Sequence, residues 1–365
     1  MSWPGAAVGP LVKAGLPAES GDDAIGDAGR DAVESAGRTW ARLWGRLPLL
    51  DGKSFRELVS WRETSLLWLA EAFIRDETVG PRCARLAEAA LRLLDATRPD
   101  EVDALGLPGP AAALLARACT VRGVLYHGPA PRARPLRSSS SRRGRPSLLR
   151  LVLPRRGVPL PPGAPAAGSG ACLLVLLGPE SDAESLGPFL RAAEADLGLR
   201  GVVVSAADLG RWETRRVRRA VRDAKRRLRE HGQRLRRAPG LHESYTHRGV
   251  GFADLAGGDL DAILRHLPDG VRLLETAIEF QAAARPAVLA LAGWPRDQRR
   301  ALLAGADAAG SASVVLRIGA EDPDDLDRAD GGPRARATVT LEPGGDPAPA
   351  LARLREAARA TLEPA

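Results

Sequence analysis

Apolar positions along the chain follow two rhythms. Over residues 86–97 and 273–284 they recur every three or four positions, the spacing of a helix with one buried face. At 172–177, 201–204 and 288–291 they run together in short blocks, which suits strands covered on both sides, and a short strand is also expected at 102–105. Each of the two helices stops at an Arg-Pro pair, Arg98-Pro99 and Arg285-Pro286, because proline has no amide to donate and pushes the residue before it out of the helical region. A short apolar strand follows each stop, then a turn, a helix built on Ala-Leu-Leu-Ala (113–116 and 301–304) and a β-rich run (121–126 and 313–318). Laid without a gap, Leu86, Glu88, Ala90, Arg98, Pro99 and Gly106 fall on Leu273, Glu275, Ala277, Arg285, Pro286 and Gly293. This recurrence reads as a duplicated helix–strand–helix–strand unit. Strands alternating with helices need crossover connections, so the expected class is α/β, with two Rossmann-like units and mostly parallel sheets.

The pattern also divides the rest of the chain. Residues 1–30 lack periodicity and read as a disordered tail; 31–130 form the first α/β unit, with a helix through Trp40 and Trp44. A second helix is expected through Trp61, Leu66, Leu67, Trp68, Phe73 and Ile74, with Trp61 and Trp68 on one face. Core packing is the plain reading of that pair, and a stacking platform for a sugar or base is the alternative. Residues 131–170, rich in Pro, Arg and Ser, read as a linker with one edge strand. The second Rossmann-like unit spans 171–319, and an acidic loop, a strand and a helix complete 320–365.

Within the second unit the run 172–177 leads into a turn and a helix, with Ser181 and Glu184 in the order of a capping box. Open α/β sheets bind ligands at such carboxyl-edge turns. A phosphate cradle there needs glycines and free amides, whereas this turn supplies Glu180 and Asp182, which suit hydrogen bonds from sugar hydroxyls or a helix cap. Further on, RRVRRAVRDAKRRLREHGQRLRR carries Val217, Val221, Ala224, Leu228 and Leu235 on one narrow stripe with arginines around the rest. Such a helix lies exposed in solvent or meets an anionic surface.

Composition adjusts this picture only slightly. The 365 residues carry a net charge of +8, but the basic residues are almost all Arg and are spread along the chain, so nucleic acid is not an expected partner. Three widely spaced cysteines among apolar neighbours read as reduced core thiols, with no disulfide framework and no zinc spacing. No metal or cofactor is expected, and the absence of a leader-like or membrane-spanning apolar run suggests a soluble cytoplasmic protein.

The segments DGKSFRELVSWRETSLLWLAEAFI, VLYHG, LREHGQRLRRAPG, HESYTHRGVGFADL and LLETAIEFQAAARP together resemble the amino-terminal part of bacterial surface or capsular polysaccharide biosynthesis proteins of the GT-B glycosyltransferase type. The resemblance covers roughly residues 51–128 and 178–319. It implies a GT-B-like fold and a nucleotide-sugar or glycan ligand. The sequence departs from that pattern at His247, where tyrosine is expected, and at Ile318, where the turn lacks the histidine kept at His127. After Gly319 the remaining residues are too few for a second nucleotide-binding lobe. The expected site residues are His247 and His127 as general bases, with Arg248, Gly249, Tyr245, Glu180, Asp182 and Glu275 toward the substrate. The plainer reading is that Arg248-Gly249 shapes a turn and that Arg248 pairs with Glu275 or Asp254. Three functions follow as expectations: a glycosyltransferase-like protein, a non-catalytic scaffold or partner subunit of the same pathway, and a module binding a polyanion or an anionic membrane surface.

Overall fold

The computed structural model describes residues 21–104, 107–128, 172–179, 181, 184–211, 213–318, 335, 337–341 and 345–362. In chain order the elements begin with α1 (Gly21–Trp44), β1 (Pro48–Leu50), β2 (Lys53–Ser54), α2 (Phe55–Leu58), β3 (Ser60–Trp61) and β4 (Thr64–Ser65). A 3-10 turn, Leu66–Leu69, leads to α3 (Glu71–Glu77), α4 (Gly80–Thr97), β5 (Glu101–Asp103), α5 (Gly109–Arg122) and β6 (Leu125–His127). Then come β7 (Cys172–Leu177), a second 3-10 turn (Glu184–Leu186), α6 (Gly187–Leu197), β8 (Arg200–Ser205), α7 (Ala206–Arg211), α8 (Arg215–Arg236) and α9 (Pro239–Ser244). The last elements are β9 (Thr246–His247), β10 (Val250–Gly251), α10 (Asp259–Ala284), β11 (Val288–Ala292), α11 (Arg296–Ala308), β12 (Ala312–Ile318), β13 (Ala337–Leu341) and α12 (Ala348–Leu362).

The chain divides into two compact units that are not consecutive in sequence. The described residues of one fall within 1–59, 71–144 and 229–265; those of the other fall within 60–70, 145–228 and 266–365. The second unit holds a five-stranded, all-parallel sheet in the order β13-β12-β11-β7-β8. Every residue of β7 and β11 is buried, as their unbroken apolar runs require for strands covered on both faces. Leu173 and Val175 point to one face, where they pack with Phe189 of α6 and with Leu351 and Leu354 of α12. Leu174 and Leu176 point to the other, against Phe280 of α10 and Leu302 and Leu303 of α11. The strand order reverses direction at β7, and right-handed crossovers then demand helices on opposite faces, as is seen.

The first unit is built differently. Helix α1 packs along α4, and Trp40 lies so close to that contact that a Cβ on Gly80 would stand 2.2 Å from its ring. Trp40, Trp44, Phe55, Tyr245 and Phe252 form one aromatic cluster with ring centroids 5.3–6.3 Å apart. Among the described residues its parallel pairing is limited to β5 with β6, where Glu101 and Asp103 flank Val102 and leave one side chain per strand to bury. Among the described residues this unit therefore carries one two-stranded parallel sheet, beside the antiparallel pairs β1–β2 and β9–β10, and no sheet of Rossmann-like size.

Local departures from the sequence expectations have local causes. Helix α1 starts at Gly21, upstream of the expected start at Asp31, with a kink at Gly26 (φ 64°). The helix expected through Trp61 and Trp68 is instead the β3–β4 hairpin and a 3-10 turn. Arg62 (φ 46°) and Glu63 (φ 63°) both adopt the left-handed region, which turns the chain back on itself without the usual Asn-Gly signature. The strand expected at 121–126 begins only at Leu125, because α5 runs to Arg122 and is capped by Gly123 (φ 69°). The expected helix stops are present: Arg98 (φ 45°) and Arg285 (φ 47°) end α4 and α10 in the same left-handed conformation, each just before its proline. The linker at 131–170 and the acidic loop after Gly319 lie outside the described residues, as do residues 1–20. No helix among the described residues is long and apolar enough to cross a membrane.

Candidate functional site

The reversal of strand order sets β7 and β11 side by side with their connections leaving in opposite directions, the place where open α/β sheets form a ligand crevice at their carboxyl ends. Gly178 and Ser181, after β7, and the turn at 293–295 approach at backbone distance. Gly178 N–H donates to Ala292 O at 2.7 Å. A Cβ on Gly178 would lie 2.0 Å from Gly293 O, and one on Gly293 (φ 61°) would lie 2.1 Å from Ser181 Oγ. Trp294 is buried and donates its indole N–H to Leu176 O at 2.8 Å, which fixes the second turn to the end of β7.

Helix α11 starts directly after this turn, so its first residues stand at the carboxyl edge. Asp297, in that first turn, accepts from the Gln298 amide at 2.9 Å and meets His266 Nε2 of α10 at 2.9 Å. Both side chains are largely but not wholly covered (13% and 20% exposed). A carboxylate that orients an imidazole is the usual support for a general base. The same carboxylate already occupies the positive end of α11, which disfavours a phosphate there. Among the described residues no group of three His, Cys, Asp or Glu side chains is placed to hold a metal ion.

The residues singled out from sequence fall elsewhere. His247 ends β9, and Arg248 (φ 49°) and Gly249 (φ 86°) form the tight turn to β10. His247 Nε2 lies 2.8 Å from Glu88 Oε2, and Arg248 donates to both oxygens of the same carboxylate at 3.2 and 3.3 Å. Arg92 adds a bond at 2.8 Å. Burial pushes the Glu88 carboxyl up, but the hydrogen bonds from His247, Arg92 and Arg248 outweigh it and leave the pKa below its ordinary value. Beside it, Asp95 is held below the usual carboxylate range chiefly by the Arg122 guanidinium at 2.6 and 2.9 Å. Arg248 therefore pairs with Glu88, with Asp95 at 3.9 Å, and not with the expected Glu275 or Asp254; Asp254 is taken by Arg117 at 2.7 and 2.8 Å.

Glu275 is fully buried on α10, where it accepts from Trp61 Nε1 at 2.7 Å and from Arg62 at 2.5 and 3.1 Å. Tyr245 belongs to the aromatic cluster; burial pushes its hydroxyl far above the ordinary range, and the group has no surface to offer a substrate. His127 ends β6 half-exposed, 3.4 Å from Glu101. Glu180 and Asp182 lie outside the described residues. Tyr245, His247, Arg248 and Gly249 thus share one hairpin region. Glu275 is held by another hairpin, and His127 stands on its own strand end. Glu88, the hub of this network, is marked in the sequence by its alignment with Glu275. No local spacing announces the His266–Asp297 pair.

Comparison with known proteins finds no family model, no curated protein and no solved structure that matches the chain.

Proposed function

We propose that the chain is a glycosyltransferase-like protein of surface polysaccharide biosynthesis, and that the sugar portion of a nucleotide-sugar or glycan seats at the carboxyl edge of the five-stranded sheet. The reading is carried by the reversal of strand order at β7 and β11 with the His266–Asp297 pair at the start of α11, directly after the turn that follows β11. His266 is the group to accept a proton from a sugar hydroxyl, and Asp297 holds its ring. The carboxylate at the start of α11 favours hydroxyl donors over phosphate oxygens, so a glycan or the sugar end of a donor suits the edge better than a diphosphate. The equal succession of helix, left-handed Arg before Pro, strand, helix and parallel strand at 80–127 and 259–318 further supports descent from one duplicated unit.

The test is calorimetric titration and thermal shift of the full chain with nucleotide-sugars and neutral oligosaccharides. A ligand that binds only the native state raises the melting temperature by mass action. Stabilisation that His266→Asn or Asp297→Asn abolishes, with the melting temperature of the unliganded variant kept, is the expected result. Binding unaffected by either change would remove the site from this edge.

A second reading rests on α8. Its Val217, Val221, Ala224, Leu228 and Leu235 are buried, while Arg215, Arg219, Arg222, Lys225 and Arg229 are exposed along successive turns. That cationic face suits a polyanion or an anionic membrane surface. Heparin in the same screen separates the readings, since its binding would weaken steeply as salt rises.

A further inference from the structure

The β3–β4 and β9–β10 hairpins are built alike. Each places a ring bearing an N–H donor, Trp61 or His247, immediately before an arginine in the left-handed region, Arg62 or Arg248. Each sends that ring nitrogen and that guanidinium to a single buried glutamate. The two glutamates also correspond, since Glu88 and Glu275 stand the same number of residues before Arg98 and Arg285.

The partners, however, are crossed. The hairpin at 60–65 is followed in sequence by the helix that carries Glu88, yet it grips Glu275, 213 and 214 positions away. The hairpin at 246–251 is followed by the helix that carries Glu275, yet it grips Glu88, 159 and 160 positions back. The same exchange explains why the compact units are discontinuous: residues 60–70 fold with the later part of the chain, and 229–265 fold with the earlier part.

We infer that the two halves of the chain, before and after the stretch 131–170, are held together by reciprocally exchanged arms, so that the partner surface for each hairpin is the glutamate-bearing helix of the other half. Neither half contains a complete lock by itself. Glu275 without residues 60–65 would be a buried charge facing one lost guanidinium and one lost indole, and Glu88 without residues 246–251 would keep, among the described residues, Arg92 alone. Each half therefore needs the other to satisfy its buried carboxylate, and the connection through 131–170 is not what keeps them associated. This inference does not depend on the glycosyltransferase reading.

The test begins with a specific protease site placed within 131–170 and cleaved in the folded, full-length chain. The two pieces are expected to sediment as one species under native conditions and to part only in denaturant. Pieces that separate on cleavage would overturn the proposal. The exchange itself is read by a double-mutant cycle on the cleaved complex, with Arg62→Lys, Glu275→Gln and Glu88→Gln, each first checked for native circular dichroism. Arg62 is expected to couple to Glu275 by at least tenfold in the dissociation constant and to leave Glu88 uncoupled. Coupling of Arg62 to Glu88 in place of Glu275 would show an uncrossed arrangement and refute the exchange. If Glu275→Gln fails to fold, Arg62→Lys alone decides: it must loosen the cleaved complex, whereas Arg56→Lys, which lies outside both hairpins, must not.

Discussion

Arg62→Ala is the most informative single change. Glu275 has no solvent exposure and accepts three hydrogen bonds, one from Trp61 and two from the Arg62 guanidinium. Breaking a buried ion pair from one side typically costs about 3–5 kcal/mol, because the remaining charge stays desolvated. Two features reduce that figure. The Arg62 side chain is 39% exposed, so solvent already screens part of the attraction, and Trp61 remains as a donor. A loss of about 2 kcal/mol in unfolding free energy is expected. The backbone supplies an internal control, because at φ 46° a non-glycine residue is strained by about 1 kcal/mol. Arg62→Gly removes the same guanidinium but relieves that strain, so it should be milder than Arg62→Ala by about 0.5–1 kcal/mol after the chain entropy of glycine is counted. Urea unfolding followed by tryptophan fluorescence measures both, with the slope in denaturant unchanged between variants. Two outcomes would refute the reasoning. Arg62→Ala within about 0.5 kcal/mol of the parent, the ordinary range for a surface change, would mean that the guanidinium does not hold the carboxylate. Arg62→Gly worse than Arg62→Ala would mean that the turn is not strained.

Other expectations follow from single contacts. Asp259 is buried, and desolvation pushes its carboxyl up to about 6 against the bonds it accepts from the Val79 and Gly80 amides. The folded pKa lies above the unfolded one, so the native state binds the extra proton and stability falls as pH rises from about 4 to about 6, by about 3 kcal/mol if this group acted alone. Asp259→Asn should flatten the pH profile of urea midpoints over that window; an unchanged slope would assign it to another group. Gly80→Ala brings a methyl to 2.2 Å from the Trp40 ring, and overpacking of this kind costs about 1–3 kcal/mol, to be read as a lowered melting temperature and a shifted tryptophan emission. Burial pushes the Cys83 thiol up to about 12, and Cys119 and Cys172 are buried as well, so a disulfide reagent at pH 8 should label the native chain only at the rate at which it opens. Rapid stoichiometric labelling of Cys83 in the folded protein would contradict its placement.

Much of the fold was legible in the sequence because it depends on neighbours within a few residues. The unbroken apolar runs at 172–177 and 288–291 become the central strands, since only a strand covered on both faces has use for so many adjacent apolar side chains. Arg98-Pro99 and Arg285-Pro286 end their helices for reasons that reside in the proline ring itself. The stripe from Val217 to Leu235 places α8 with its valines and leucines inward. Where a local rule was silent, the expectation failed: Arg62 and Glu63 form a tight turn with no glycine or asparagine to mark it, and a helix was expected in its place.

What only the tertiary structure decided is which distant groups meet. The position of Glu88 opposite Glu275 was visible in the repeat, but nothing in sequence says that the hairpin before one helix will serve the glutamate of the other. The His266–Asp297 contact likewise joins two helices, and it exists because α10 and α11 pack on the same face of the sheet. Periodicity and punctuation settle local conformation through short-range sterics and the burial of one face. The choice of partner for a buried charge is settled by which arrangement of the whole chain leaves the fewest such charges unpaired, and that is a property of no single segment.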